Sequence, residues 1–176
     1  MHPSILDIAG VSAGLLVIRL VVGLLIAAHG SQKLLGWFGG HGIAGTGMFF
    51  EQLGFRPGRF FATMASVTEI VSGILIALGL FGPIGPALLL SVMIVAAVSV
   101  HWKNGLFAHS NGIELALFYG TVAVSLALIG FGTYSLDAAL GLQALYTPTL
   151  ALVALAIGVI GGVANLAARR PVAVTA

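Results

Sequence analysis

The chain has 176 residues, of which 59% are hydrophobic and only 7% charged, with a formal net charge of +2 and no cysteine. A soluble domain carries about 25% charged residues, so this chain could not cover a water-facing surface, whereas in lipid the outer surface is apolar by design. The missing cysteines exclude disulfides, thiolate nucleophiles, thiol relays and thiolate-bound metals, and no basic cluster is dense enough to grip nucleic acid.

The N-terminal stretch Met1-His2-Pro3-Ser4-Ile5-Leu6-Asp7 has no basic n-region, and no small-x-small cleavage site follows it cleanly. The first apolar run is therefore expected to be a retained span, not a signal peptide. That run covers residues 12–35, is interrupted by Arg19 and closes in His29-Gly30-Ser31-Gln32-Lys33. A loop rich in glycine and aromatics follows, from Gly36 to Arg59. It is too apolar for a free linker, and an amphipathic surface segment over 46–53 is expected to lid one end of the bundle or simply to pack at the interface.

The second run covers 60–80 and contains Glu69. The turn Phe81-Gly82-Pro83-Ile84-Gly85-Pro86 makes it a hairpin with the third run, 86–102. A short polar loop from Lys103 to Gly112 leads to the fourth run, 113–129. The mixed stretch 133–148 leaves room for an interfacial turn or short helix over 135–145, and the fifth run covers 149–168. Each run is near the ~20 residues that span hydrocarbon, the third and fourth slightly short. The runs are continuous, not alternating, which argues against a barrel. The predicted class is all-α, a single transmembrane domain over 1–176.

Charge placement orients the bundle. With five crossings, Lys33, Arg56, Arg59, Lys103, Arg169 and Arg170 share one side, and Asp7 and Asp137 the other. The positive-inside rule then predicts the N-terminus outside and the C-terminus in the cytoplasm. Small residues four apart, Gly158 with Gly162, Ala62 with Ser66 and Ala116 with Gly120, permit close helix approach.

A charge at the bilayer centre costs about 2.5–3.5 kcal/mol on insertion scales, so Arg19 and Glu69 call for partners. Their depths on antiparallel neighbours roughly match, which predicts an Arg19–Glu69 pair, either a packing device or part of a site. A second cluster is expected at the cytoplasmic side from His29, Gln32, Lys33, His101, Asn104 and Glu114. Histidine there could move protons or bind a headgroup; Lys33, Trp102 and Lys103 also suit interfacial snorkelling and anchoring. His29 and His101 could flank a haem, but their spacing carries no haem signature, and no metal site is assigned. His2, His41 and His109 read as tail or loop residues.

Several of these stretches together resemble the DoxX family. Arg19, Gly23 and His29-Gly30-Ser31-Gln32-Lys33-Leu34 look like its first-helix signature, continued by Gly36-Trp37-Phe38-Gly39-Gly40. Glu69, Gly73 and Leu78-Gly79-Leu80 resemble its second helix, and Asn111-Gly112, Glu114 and Gly132-Thr133-Tyr134-Ser135-Leu136-Asp137 its later half. The resemblance covers about 15–141. It implies a small inner-membrane protein of four core transmembrane helices, with the C-terminal span at 149–168 as a fifth, added helix. It also implies association with redox systems, as in a subunit of archaeal thiosulfate:quinone oxidoreductase and in actinobacterial oxidative-stress complexes. Carried over by position, its polar residues are Arg19, His29, Gln32, Lys33, Glu69, Glu114 and Asp137, with Tyr134 and Asp137 closing the outer end of the fourth span. The absent cysteines weigh against a thiol relay.

Three functions follow. An accessory membrane subunit of a redox or stress-response system would offer quinone an apolar cleft beside His29, Glu69 or Glu114 and would meet redox partner proteins. A small-solute transporter would join Arg19 and Glu69 to the inner cluster by a polar path, as a homodimer. A structural membrane protein would have every ionisable residue tightly paired. No nucleophile–base constellation marks a self-contained enzyme.

Overall fold

The computed structural model describes residues 5–170, with side chains from residue 9 onward; His2 and the Asp7 side chain lie outside the described residues. The chain is all-α. Helix α1 is Ile5–Leu35, α2 is Gly42–Gln52, α3 is Gly58–Leu78 and α4 is Ile84–Ala96. A π-helical turn, Ala97–His101, and a 3-10 turn, Trp102–Asn104, continue α4. Then come α5, Glu114–Ile129, α6, Leu136–Ala139, and α7, Pro148–Ala167.

Local chemistry sets the ends. Helix α3 stops at Gly79, whose φ of 66° is the left-handed conformation a glycine takes without a Cβ penalty. Helix α7 starts where the Thr147 hydroxyl accepts from the Leu150 amide and Pro148 occupies the first turn, where its missing N–H costs nothing. The Ser135 hydroxyl caps α6 in the same way, accepting from the Ala138 amide.

Among the described residues, four helical stretches are long and apolar enough to cross a membrane: 9–35, 58–78, 84–104 and 148–167. The protein is a multi-pass membrane protein. The C-terminal helix, expected as the addition to a core of four, is one of these four. Helix α5 is apolar but has 16 residues, about 24 Å of rise, short of the ~30 Å hydrocarbon thickness.

Helix α1 packs chiefly on α3, and α4 packs on α7, α5 and α3. Glycine makes the first contact possible. A Cβ on Gly23 would lie 2.6 Å from the Gly73 carbonyl oxygen, and one on Gly30 would lie 2.6 Å from that of Ser66. Gly158 against Ala87 and Gly162 against Ser91 do the same between α7 and α4. Gly120 has only ordinary contacts, with Leu90 and Met93, and its pairing with Ala116 marks no close approach. Between these seams Val22, Ile26, Ile76, Leu89, Met93, Ala123, Leu126 and Phe131 form the core.

The α1–α3 register corrects the expected Arg19–Glu69 pair. With Gly23 against Gly73 and Ala77, and Gly30 against Ser66 and Ile70, Arg19 is level with the C-terminal end of α3. Glu69 is level with the His29 turn of α1, about 15 Å away along the axis. Matching depths counted from the ends of the apolar runs misses this because α1 begins at Ile5, well before the run at 12–35.

Candidate functional site

The two intramembrane charges belong to opposite ends of the bundle. At one end Arg19, 1% exposed, donates from Nη1 to the Phe131 carbonyl at 3.0 Å and from Nη2 to the Tyr134 carbonyl at 2.5 Å. Its guanidinium carbon lies 5.6 Å from the Phe131 ring centre, and a Cβ on Gly79 would overlap it. Asp137, 0% exposed, accepts from the amides of Phe81 at 2.8 Å and Gly82 at 2.7 Å, and from the Tyr146 hydroxyl at 2.5 Å. These bonds hold the α3–α4 turn, where Phe81 sits at a φ of 61° that a non-glycine residue rarely adopts. Burial, then the hydrogen bond and negative charge of Asp137, hold the Tyr146 phenol far above its ordinary range. Tyr146 is thus a neutral donor. This end is a structural lock: Arg19 ties α1 to the α5–α6 loop, and Asp137 ties α6 to the α3–α4 turn. Tyr134 contributes its carbonyl, and its side chain is exposed.

At the other end Lys33 Nζ donates to Glu69 Oε1 at 2.5 Å. Glu69 is 2% exposed, and its second oxygen, Oε2, has no hydrogen-bond partner among the described residues. A bound charge pair beside an unsatisfied acceptor is costly unless the site uses it. Lys33 is held from the backbone side as well, since the Thr46 hydroxyl of α2 donates to its carbonyl at 3.1 Å.

Lys33 lines a cavity of about 410 Å³, within the ~300–1,000 Å³ of small-molecule sites. His29 and His101 line it too, as does His41. Most of the wall is apolar. Helix α2 and the segment after it supply Phe49, Phe50, Leu53 and Phe55, α3 supplies Phe61 and Met64, and α4 supplies Val92 and Val95. Asn165 reaches it from α7. The π-helical turn carries Ser99, Val100 and His101 into the wall, and such turns shift side chains off the α-helical register. Helix α2 forms where the amphipathic surface segment was expected, and it does cover this end. The C-terminal end of α7 pins it: Arg169 Nε donates to the Leu53 carbonyl at 2.9 Å, and the Arg170 amide to the Gly54 carbonyl at 2.8 Å.

The expected six-residue cluster therefore divides. His29, Lys33 and His101 meet at the cavity. Gln32 turns away, donating to the Phe38 carbonyl across the tight turn after α1. Glu114 accepts from the Ala108 amide at 2.6 Å and organises the α4–α5 loop. Asn104 donates to the Asn111 carbonyl in that loop. Sequence reading took His41 for a loop residue, whereas it lines the cavity, and it missed Thr46, Asn165 and Tyr146. Only the Phe49-Phe50 and Phe55 spacing among glycines hinted at a wall there.

An uncharacterized protein of Haemophilus influenzae is 32% identical to this chain over 127 residues, covering 68% of this chain and 85% of its own length. No solved structure matches the chain. The family model for DoxX matches residues 14–102, a stretch that holds every cavity-lining residue except Asn165; the chain belongs to the DoxX family.

Proposed function

We propose that the protein is an accessory membrane subunit of a redox or oxidative-stress system, and that its cavity receives a lipid-soluble carrier of the quinone type. The observation that carries this reading is the cavity itself: an apolar chamber with Lys33, His29 and His101 on its wall, beside a buried carboxylate with a free oxygen. The donor and acceptor set fits such a group. A ring with oxygens on opposite edges needs polar partners at the head and an apolar channel for the tail, and the Phe and Met residues supply the channel. When bound, a quinone would supply two-electron carriage through the lipid phase. The residues of this chain bind and orient it, exclude water through α2, and exchange hydrogen bonds at Lys33 Nζ and the histidine rings.

The transporter reading is less well supported. Between Arg19 and Lys33 the inward positions of α1 include Val22 and Ile26, both buried and apolar. The structural reading suits the Arg19 end, where Arg19 donates two bonds, Asp137 accepts three and Arg19 Nε alone lacks a partner among the described residues, better than it suits the Lys33 end, which opens on the cavity.

The same proposal includes topology. The helix ends alternate between the two ends of the bundle, and Arg169 meets Leu53 at the Lys33 end. This supports five crossings, with α5 completing the set by way of its flanking loops. Lys33, Arg56, Arg59, Lys103, Arg169 and Arg170 then face the cytoplasm, the N-terminus lies outside, and the membrane is the plasma (inner) membrane. Chain 1–176 forms one transmembrane domain. The test is purification in mild detergent with identification of copurifying lipid-soluble molecules and proteins. The expected result is a quinone or a redox partner in stoichiometric amount; recovery of neither contradicts the proposal.

A further inference from the structure

The hydrogen bonds of the cavity wall have a consistent direction. His29 Nδ1 lies 3.1 Å from the Leu25 carbonyl, and His101 Nδ1 lies 2.8 Å from the Asn111 carbonyl. A carbonyl oxygen only accepts, so each Nδ1 carries a proton, and in the imidazole form the Nε2 of each ring is the acceptor. The wall hydroxyls act alike. Thr46 donates to Lys33 O, Thr68 to Met64 O and Ser99 to Val95 O, which commits their protons to the backbone and leaves oxygen lone pairs. Behind Lys33, Glu69 Oε2 is a further unpaired acceptor. Lys33 is the charged donor on the wall, and His41, Ser91 and Asn165 complete its polar groups.

We propose that this cavity selects amphiphiles whose ring head carries a free hydroxyl, phenols and hydroquinones, over the corresponding ethers and diones. A phenolic oxygen accepts from Lys33 while its hydrogen goes to an imidazole Nε2. A dione or ether brings acceptors only and leaves both histidine nitrogens facing lone pairs, the arrangement that sites built for a hydroxyl reject most strongly. The inference rests on the reading of the cavity as a ligand site and adds which redox form it holds.

The experiment uses the full-length protein in nanodiscs of phosphatidylcholine and phosphatidylglycerol. It is titrated calorimetrically with para-nonylphenol and with its methyl ether, with empty nanodiscs subtracted. The two probes share a tail and differ by one O–H. The phenol is expected to bind about tenfold or more tighter, the scale of one buried hydrogen bond left unmade. In His29→Phe with His101→Phe the ratio falls towards one while ether affinity is kept or rises. Equal affinities in the unsubstituted protein would overturn the selectivity and leave the cavity reading standing. Binding of neither probe would overturn both. A ratio unchanged in the double variant would remove the histidines from the assignment. The unsubstituted comparison decides the main point even if the double variant does not fold.

Discussion

Arg19 and Lys33 stand on one helix, about 21 Å apart along its axis, and each has taken a different kind of partner. Arg19 is bonded to two backbone carbonyls, those of Phe131 and Tyr134, with no carboxylate in salt-bridge reach among the described residues. Lys33 is bonded to Glu69. Double-mutant cycles separate the two arrangements. Lys33→Met with Glu69→Gln is expected to show a coupling of about 0.5–3 kcal/mol in unfolding free energy, whereas Arg19→Met with Glu69→Gln adds within about 0.5 kcal/mol. Arg19→Met alone is expected to cost about 2–4 kcal/mol, because it leaves two carbonyls without donors in a dry interior. Coupling between Arg19 and Glu69 would restore the pairing that depth-matching suggests. Both charges were legible in the sequence as residues needing partners. Their partners were not, because one partner is backbone and the other depends on a helix register set by glycine contacts.

Those contacts belong to the helices. Gly23 and Gly73 meet where any Cβ would strike backbone, while a Cβ on Gly120 would meet side chains at ordinary distance. Gly23→Ala is therefore expected to lower the thermal midpoint by separating α1 from α3, at about 1–3 kcal/mol, and Gly120→Ala to be neutral or slightly stabilising; equal losses would contradict the packing described. The α3–α4 turn gives a second test. The Tyr146 phenol keeps its proton in the folded protein to higher pH than in the unfolded chain. Above about pH 10 the unfolded state therefore binds fewer protons, and stability falls as pH rises. Tyr146→Phe is expected to lower stability at neutral pH by losing the Asp137 bond, and to flatten the alkaline decline. A decline of unchanged slope would remove Tyr146 as its source. The helices themselves were readable from hydropathy, down to the short fourth run and the surface helix in the glycine-rich loop. The turn was readable as a turn, but its dependence on Asp137 and Tyr146 joins residues more than fifty positions apart and leaves no local signal.

The whole molecule has a locked end and an end with a chamber. The lock at Arg19, Asp137 and Tyr146 fixes the helices; α2 and the end of α7 cover the chamber at Lys33. A reporter fused after Ala176 is expected to read cytoplasmic, and a periplasmic reading would break the five-crossing arrangement. The cavity was only partly visible in the sequence. His29, Lys33 and His101 are polar residues at helix ends and could be anticipated, but the wall between them is apolar and looks like any other core or lipid-facing surface. The most direct test of the central claim is photo-crosslinking in native membranes with a hydroquinone carrying a photoreactive isoprenoid-like tail, mapped by mass spectrometry. Adducts are predicted on Phe49, Phe61 and Met64, suppressed by excess unlabelled carrier and reduced in Lys33→Met. Adducts confined to the lipid-facing residues of α5 and α7, or labelling that excess carrier does not suppress, would contradict it.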